Sequence, residues 1–387
     1  MAIEDLLHPL MPKYFAAPAW VKTCVGRAYR ALPDPVRHGA AYRAFRDELM
    51  AVGDDPAAAA RVARTKLSRT LQWAIESVPA YRRFQSACNR TADPVELLRK
   101  LPIVDRADIH RNPGLYVSRA LPEAQRLRCL DISGDPLDVC VQKHVTRAKE
   151  QIYVHAFRQR AGVGACRLTL AMLGRPVPDE CGWSHEPIRR QLLVGLQALS
   201  PENVPKLAEA LERHRPACIE ARPSLLLPLA HWLQSHPLPS FIGALKGVLL
   251  YGECVSPARM ALFRRVFGCP VLRHFGHPER VLMAASLPGD ERFFFWPLYG
   301  HLELVDAQER PILRPGVPGF IVGTSFDNQA MPFVRYRTGD IGVLGGTEHP
   351  ELPGYPVCER IGEMSESAAA DADSRASVSD AAPREMA

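Results

Sequence analysis

Apolar and polar positions change their period twice along this chain. Residues 57–78, rich in Ala, Arg, Leu and Ile, read as a helix stopped by Pro79. A short helix is predicted after Asp105, with Asp105 and Asp108 at the positions of an acidic capping box. Two alternating runs over 127–142 then predict a hairpin: Leu127 to Ile132, a turn starting at Ser133-Gly134, and a return through Pro136-Leu137. Thr146 is placed to cap a helix reaching about Arg160, ended by Gly162 and Gly164.

From there strands and helices alternate. Strands are predicted at 167–173, 217–221, 246–251 and 271–275. Helices are predicted from Ser200-Pro201 to His214, over 223–234, and from Ser256-Pro257 to Gly268. That alternation implies a parallel sheet covered on both faces. Beyond Phe293 only strands and turns remain, at 293–298, 301–306, 319–325 and 332–337, which implies a β-rich subdomain. Residues 365–387 are mostly Ala, Ser and Asp with no aromatic, a composition expected to be disordered.

Composition narrows the function classes. At 387 residues and 47% hydrophobic content the chain can bury a large core. Its 48 basic and 42 acidic residues give a net charge of +6 without a run of five Lys or Arg, so a nucleic-acid binder is not expected. The ten cysteines form no C-x-x-C pair, and no apolar stretch reaches the roughly 18 residues of a membrane span. The N-terminus lacks the pattern of a secretory leader. A cytoplasmic location is the expectation.

Four short stretches carry candidate chemistry, in this order: Ser133-Gly134-Asp135-Pro136-Leu137, Tyr251-Gly252-Glu253, Phe275-Gly276-His277-Pro278-Glu279 and Arg335-Tyr336-Arg337-Thr338-Gly339-Asp340. The second and third end parallel strands, where ligands of open α/β sheets sit. Glu279 is placed to hold Mg²⁺ against a phosphate, since magnesium uses one or two carboxylates plus substrate phosphates. Asp340 offers two acceptor oxygens to a ribose diol. Gly252 lets a flat ring approach the backbone. Taken singly, Thr-Gly-Asp is usually a surface turn and the other stretches read as ordinary turns or strand ends, and a lone histidine such as His277 or His144 is more often structural; the ordered set carries the reading.

That set resembles the adenylate-forming (ANL) superfamily, in its phenylacetate–CoA ligase and CapK-like branch, over about residues 65 to 364. "LQWAIESVPAYRRF" (71–84) and "LPIVDRADIHRN" (101–112) are similar to two N-terminal segments of that branch. The resemblance implies an α/β chain with the large N-terminal domain of the adenylate-forming fold, parallel sheets with helices plus the β-rich subdomain. It divides the chain into an N-terminal extension (1–55), an adenylation-type core (56–292), the β-rich part (293–364) and the tail (365–387). It implies ATP or AMP and Mg²⁺ as cofactors, with CoA a compatible acceptor, and a small carboxylic acid, aryl acids included, as substrate. A carrier or other protein partner is compatible with it. It gives Glu279 the metal and Asp340 the ribose. Gly252, Glu253, Phe275, Gly276 and Arg337 surround the nucleotide, Ser133 and Gly134 start the phosphate hairpin, and His277 is a candidate base. Tyr153 and Trp183 are candidates for the acyl pocket, with core packing as the plainer role.

The departures from that family are specific. Ser133-Gly134 runs almost directly into Pro136-Leu137, so the hydroxyls and second glycine of the family's phosphate loop are missing. Glu363 stands in "ERIGEMSE" where the hinge expects arginine, and no counterpart of the small C-terminal domain or of its lysine is expected. Positions 284–286 are Ala, Ala and Ser and only Cys358 remains of the branch's cysteine/histidine cluster, so no zinc is expected. Losing one preorganised donor typically costs about 10²–10³ in rate. Three readings follow: a truncated adenylate-forming ligase, an acyl or aminoacyl transferase using a preformed adenylate or thioester, and a non-catalytic scaffold.

Overall fold

The structure is a computed structural model, and it describes residues 10–130, 138–163, 168–177, 179–346 and 348–363. Ser133, Gly134 and the segment 365–387 lie outside the described residues. The chain forms two compact units, each discontinuous in sequence. One comprises the described residues up to Asp47 with Arg147–His274 and Ala285–Glu291; the other comprises Glu48–Thr146, Phe275–Ala284 and the residues from Arg292 onward.

The first unit is a doubly covered sheet. Gln191–Val194, Thr169–Met172, Cys218–Ala221, Gly247–Tyr251 and Val271–Gly276 lie parallel in that order, and Trp183–Glu186 adds an antiparallel edge. The helices Val204–His214, Pro223–Gln234 and Pro257–Phe267 pack on one face around Leu211, Ile219, Leu229, Leu250 and Phe263. The helix Thr146–Arg160 supplies Phe157 to the opposite face, against Cys218, Leu249 and Leu272. Both faces being apolar explains why these strands read as near-continuous hydrophobic runs. Residues N-terminal to Asp47 dock on this unit as helices. Tyr14 Oη donates to Glu186 Oε1 at 2.7 Å, Tyr42 pairs with His155 Nδ1 at 3.1 Å, and Gly26 leaves no room for a side chain against Pro187.

The second unit is built on the helix Pro56–Ser77. Asp55 accepts from Ala57 N, Pro56 fills the first turn, and Val78 goes extended before Pro79. Its buried stripe of Leu67, Leu71, Ala74 and Ile75 meets Phe295, Ile321, Met331 and Val334 in one core. The strands Gly300–Val305, Pro318–Ser325, Tyr336–Leu344, Val357–Glu363 and Asp290–Phe295 follow one another antiparallel. The hairpin is present as Arg126–Leu130 against Asp138–Gln142, with Arg126 opposite Gln142. Buried Asn328 fastens it: Nδ2 donates to Cys140 O and Met331 O, while Oδ1 accepts from Gln142 N and Ala330 N.

Two local expectations shift. The helix expected from Ser200-Pro201 begins at Val204, because Asn203 N and Val204 N both bond Ser200 O in a preceding turn and Pro205 takes the first helical turn. The last strand expected at 332–337 is instead Tyr336–Leu344, since 326–333 closes a loop in which Phe333 and Ser325 bond each other. Among the described residues no helix is long and apolar enough to cross a membrane.

Candidate functional site

Three separate stretches of the second unit bring charged side chains together. The first leaves the end of the strand Val271–Gly276 in a tight turn, in which Arg280 N bonds His277 O and Arg280 takes φ 56°. That turn presents Phe275, His277 and Glu279. The second is the bend at Thr338-Gly339-Asp340. Gly339 has φ 87°, which side-chain-bearing residues rarely adopt, and the pairing with Pro318–Ser325 slips here, from Phe320 opposite Ile341 to Val322 opposite Arg337. Thr338 Oγ1 donates to Ile321 O and accepts from Asp340 N, which fixes the bend. The third is the segment before the helix Arg106–Arg111. Val104 pairs with Tyr336, through Val104 N to Arg335 O and Arg337 N to Val104 O. The full capping box of Asp105 and Asp108 then fixes the first helical turn, where Arg106 stands.

The result is two adjoining hydrogen-bonded groups. His277 Nε2 lies 2.9 Å from Asp340 Oδ2, both side chains being mostly shielded from solvent. The imidazole meets the Phe275 ring edge-on, with centroids 4.6 Å apart and planes at 87°. Its Nδ1 is buried and has no hydrogen-bond partner among the described residues. Glu279, only 3% exposed, accepts at Oε1 from Tyr336 Oη at 2.6 Å and from Arg106 Nη1 at 3.0 Å. Burial first, and then the Glu279 charge, push the Tyr336 phenol far above its ordinary value, so it stays a donor. Beside these, Arg335 lies in a two-point ion pair with Glu303 and donates to Leu101 O.

Of the residues singled out in the sequence, Phe275, Gly276, His277, Glu279 and Asp340 are gathered here. Arg337 sits one residue past Tyr336; its guanidinium reaches Glu309 at 3.3 Å and covers the Phe320 ring. Gly252 and Glu253 belong to the first unit. Gly252 turns the chain with φ 72°, and Glu253 accepts from Ser224 N at 2.9 Å and Ser224 Oγ at 2.7 Å, at the first turn of the helix Pro223–Gln234. His144 stands at φ 62° between the hairpin and the helix Thr146–Arg160. Tyr153 is buried, and Trp183 packs partly buried on the core of its unit.

Arg106 and Tyr336 were not assigned roles from the sequence. Tyr336 lies inside the quoted "RYRTGD" stretch, but nothing in linear spacing shows that a phenol there meets Glu279. Arg106 reaches the site only because Val104 joins the edge of a strand more than 200 residues later.

No family model matches the sequence, and no curated protein matches it. Among solved structures the fold is that of the N-terminal part of an adenylate-forming ligase. The open conformation of 2-hydroxyisobutyryl-CoA ligase, in complex with 2-HIB-AMP and CoA, matches with a TM-score of 0.62 at 18% identity, over 79% of this chain and 69% of that one. The same enzyme in its thioesterification state, again with 2-HIB-AMP and CoA, matches with a TM-score of 0.59 at 17% identity, over 79% and 68% of the two chains. This chain therefore spans about two thirds of that ligase's length.

Proposed function

We propose that the second unit binds the adenylate of a small carboxylic acid, and that the chain carries the N-terminal part of an adenylate-forming ligase related to the phenylacetate–CoA ligase type. One observation carries this reading: the Phe275–Glu279 turn and the Thr338-Gly339-Asp340 bend, 63 residues apart at His277 and Asp340, meet in a direct hydrogen bond. Asp340 Oδ1 can accept a ribose hydroxyl while Oδ2 holds His277. Phe275 gives the neighbouring imidazole an apolar wall. The likeness of the fold to a ligase crystallised with an acyl-AMP supports the same ligand class. Acyl-AMP formation, with aryl acids among the candidate substrates and CoA or a carrier protein as acceptor, is the activity proposed.

The His277–Asp340 pair favours a second reading. A carboxylate that orients one imidazole nitrogen while the other stays unpartnered is the arrangement of a general base. On that reading the chain transfers an acyl group from a preformed adenylate, with His277 taking the proton of the acceptor. Two measurements separate them. ATP–pyrophosphate exchange with a panel of small acids should be detectable if the chain makes its own adenylate. If no acid supports exchange but acyl-sulfamoyl-adenosine binds, the transferase reading replaces it. If neither AMP nor the sulfamoyl analogue binds, both readings fail.

A further inference from the structure

We propose that the N-terminal helices of the first unit are a docking surface for a bilayer carrying anionic lipids, with Phe15 and Trp20 entering the interface and Lys13 and Arg27 meeting the headgroups. This surface is separate from the nucleotide site and does not rest on the adenylate reading.

Large apolar side chains stand out here. Leu10, Phe15 and Trp20 are 51%, 38% and 71% exposed, and Phe15 and Trp20 are the only exposed aromatic side chains among the described residues. Apolar residues scattered singly over a surface are ordinary, but these three are confined to two consecutive helices, Met11–Ala16 and Ala19–Ala31, and the residue before them. On the second helix Gly26 and Tyr29 are buried, and Gly26 lies too close to Pro187 to carry a side chain. Trp20 precedes Tyr29 by about two and a half turns and so falls on the opposite side. Cys24 and Arg27 follow Trp20 at about one and two turns, and both are exposed with it.

Charge accompanies that outer side. Between Asp5 and Asp34 the sequence has no Asp or Glu, but it has Lys13, Lys22, Arg27 and Arg30; of these Lys13 and Arg27 are exposed. The turn after the strand Trp183–Glu186 adds Arg189 and Arg190. Arg30 donates to Pro187 O in that turn. Burial first, and then the charges of Arg190 and Arg27, lower the Arg30 guanidinium, so these arginines crowd one another. Within 10–33 and 183–190 the sole carboxylate is Glu186. It is 4% exposed and is engaged by Tyr14 Oη, Ile188 N and Arg189 N. The face therefore shows basic side chains outward and keeps its carboxylate inside.

Exposed Phe and Trp beside Lys and Arg make an interfacial anchor. The rings suit the boundary between headgroups and acyl chains, and the cations gain from anionic lipid. Among the described residues no helix is long and apolar enough to cross a membrane, so the contact is peripheral.

The test is cosedimentation of the whole chain with vesicles of phosphatidylcholine alone and of phosphatidylcholine with phosphatidylserine, at low and high salt. The wild type should bind the phosphatidylserine vesicles more tightly, and salt should weaken that binding. Arg27→Glu should lose about fivefold or more, and Trp20→Ser about tenfold. Leu313→Ser, at an apolar residue 74% exposed on the second unit, should bind as the wild type does. The chain has five tryptophans, so a fluorescence blue shift with these vesicles that Trp20→Phe removes assigns the insertion to that ring. Unchanged melting midpoints separate lost binding from lost folding. The proposal is overturned if phosphatidylserine vesicles do not sediment the chain, if both vesicle types bind it equally at every salt, or if Trp20→Ser and Phe15→Ser bind as the wild type does. Binding to polyglutamate without binding to vesicles also overturns it, and would give the basic face to an acidic protein.

Discussion

His301 is a residue whose burial ties stability to pH. It lies on the strand Gly300–Val305, and burial, with the Arg99 charge adding to it, lowers its imidazole to about 4. In the unfolded chain the same group titrates near its ordinary value of about 6.5. Above that value neither state carries the proton and the full stability is present. As pH falls through about 6.5 the unfolded chain takes up a proton that the folded chain refuses, and stability declines until about 4, where both states are protonated. The slope from this one group is at most about 1.4 kcal/mol per pH unit. Urea midpoints across that window should fall less steeply for His301→Gln than for the wild type. Parallel curves for the two chains would show that another group sets the acid limb. The sequence could not mark His301, because its burial comes from strands and a helix that are far apart along the chain.

Elements that depend on local capping and periodicity were legible; elements that depend on distant partners were not. The helices Pro56–Ser77, Pro223–Gln234 and Pro257–Phe267 match their sequence expectations because a cap or proline starts each and a proline, glycine or loss of period ends it. The strands Trp183–Glu186 and Val357–Glu363 escaped notice: the first is short and carries His and Glu, the second has Glu359, Arg360 and Glu363 among its seven residues. The hairpin was visible as two alternating runs, yet what holds it was hidden. Asn328 makes four hydrogen bonds, two of them to the strand Asp138–Gln142, from nearly 190 residues away. Replacing it by Leu keeps the size and strands Cys140 O, Met331 O and Ala330 N, while Gln142 N retains Thr146 Oγ1. Each stranded buried group costs about 1–3 kcal/mol, so Asn328→Leu should destabilise by about 3 kcal/mol or more, read from denaturant midpoints. A change below about 1 kcal/mol would mean that water replaces the amide without cost.

At the scale of the whole chain, the fold class followed from the switch between strand–helix alternation and strands alone, because that switch records which faces are buried. The site was legible in part: Phe275, His277, Glu279 and Asp340 stand in ordered motifs, while Arg106 enters through a strand-edge pairing that no spacing encodes. The position of these residues predicts where a bound adenylate is felt. All of them lie in the second unit, on 101–111, 275–280 and 335–344. A ligand at 100 times its Kd adds about 2.7 kcal/mol to the stability of the state that binds it, equal to about a hundredfold slower opening equilibrium for amides released with the site. Hydrogen exchange with saturating acyl-sulfamoyl-adenosine should therefore slow most in those three segments. The buried strand Thr169–Met172 belongs to the first unit and should change less, to the extent that it opens without releasing the site. Asp340→Ala should abolish the slowing without altering exchange in the ligand-free chain elsewhere than around 336–344. Protection that survives Asp340→Ala, or that appears only outside those segments, would place the nucleotide somewhere other than the His277–Asp340 pair.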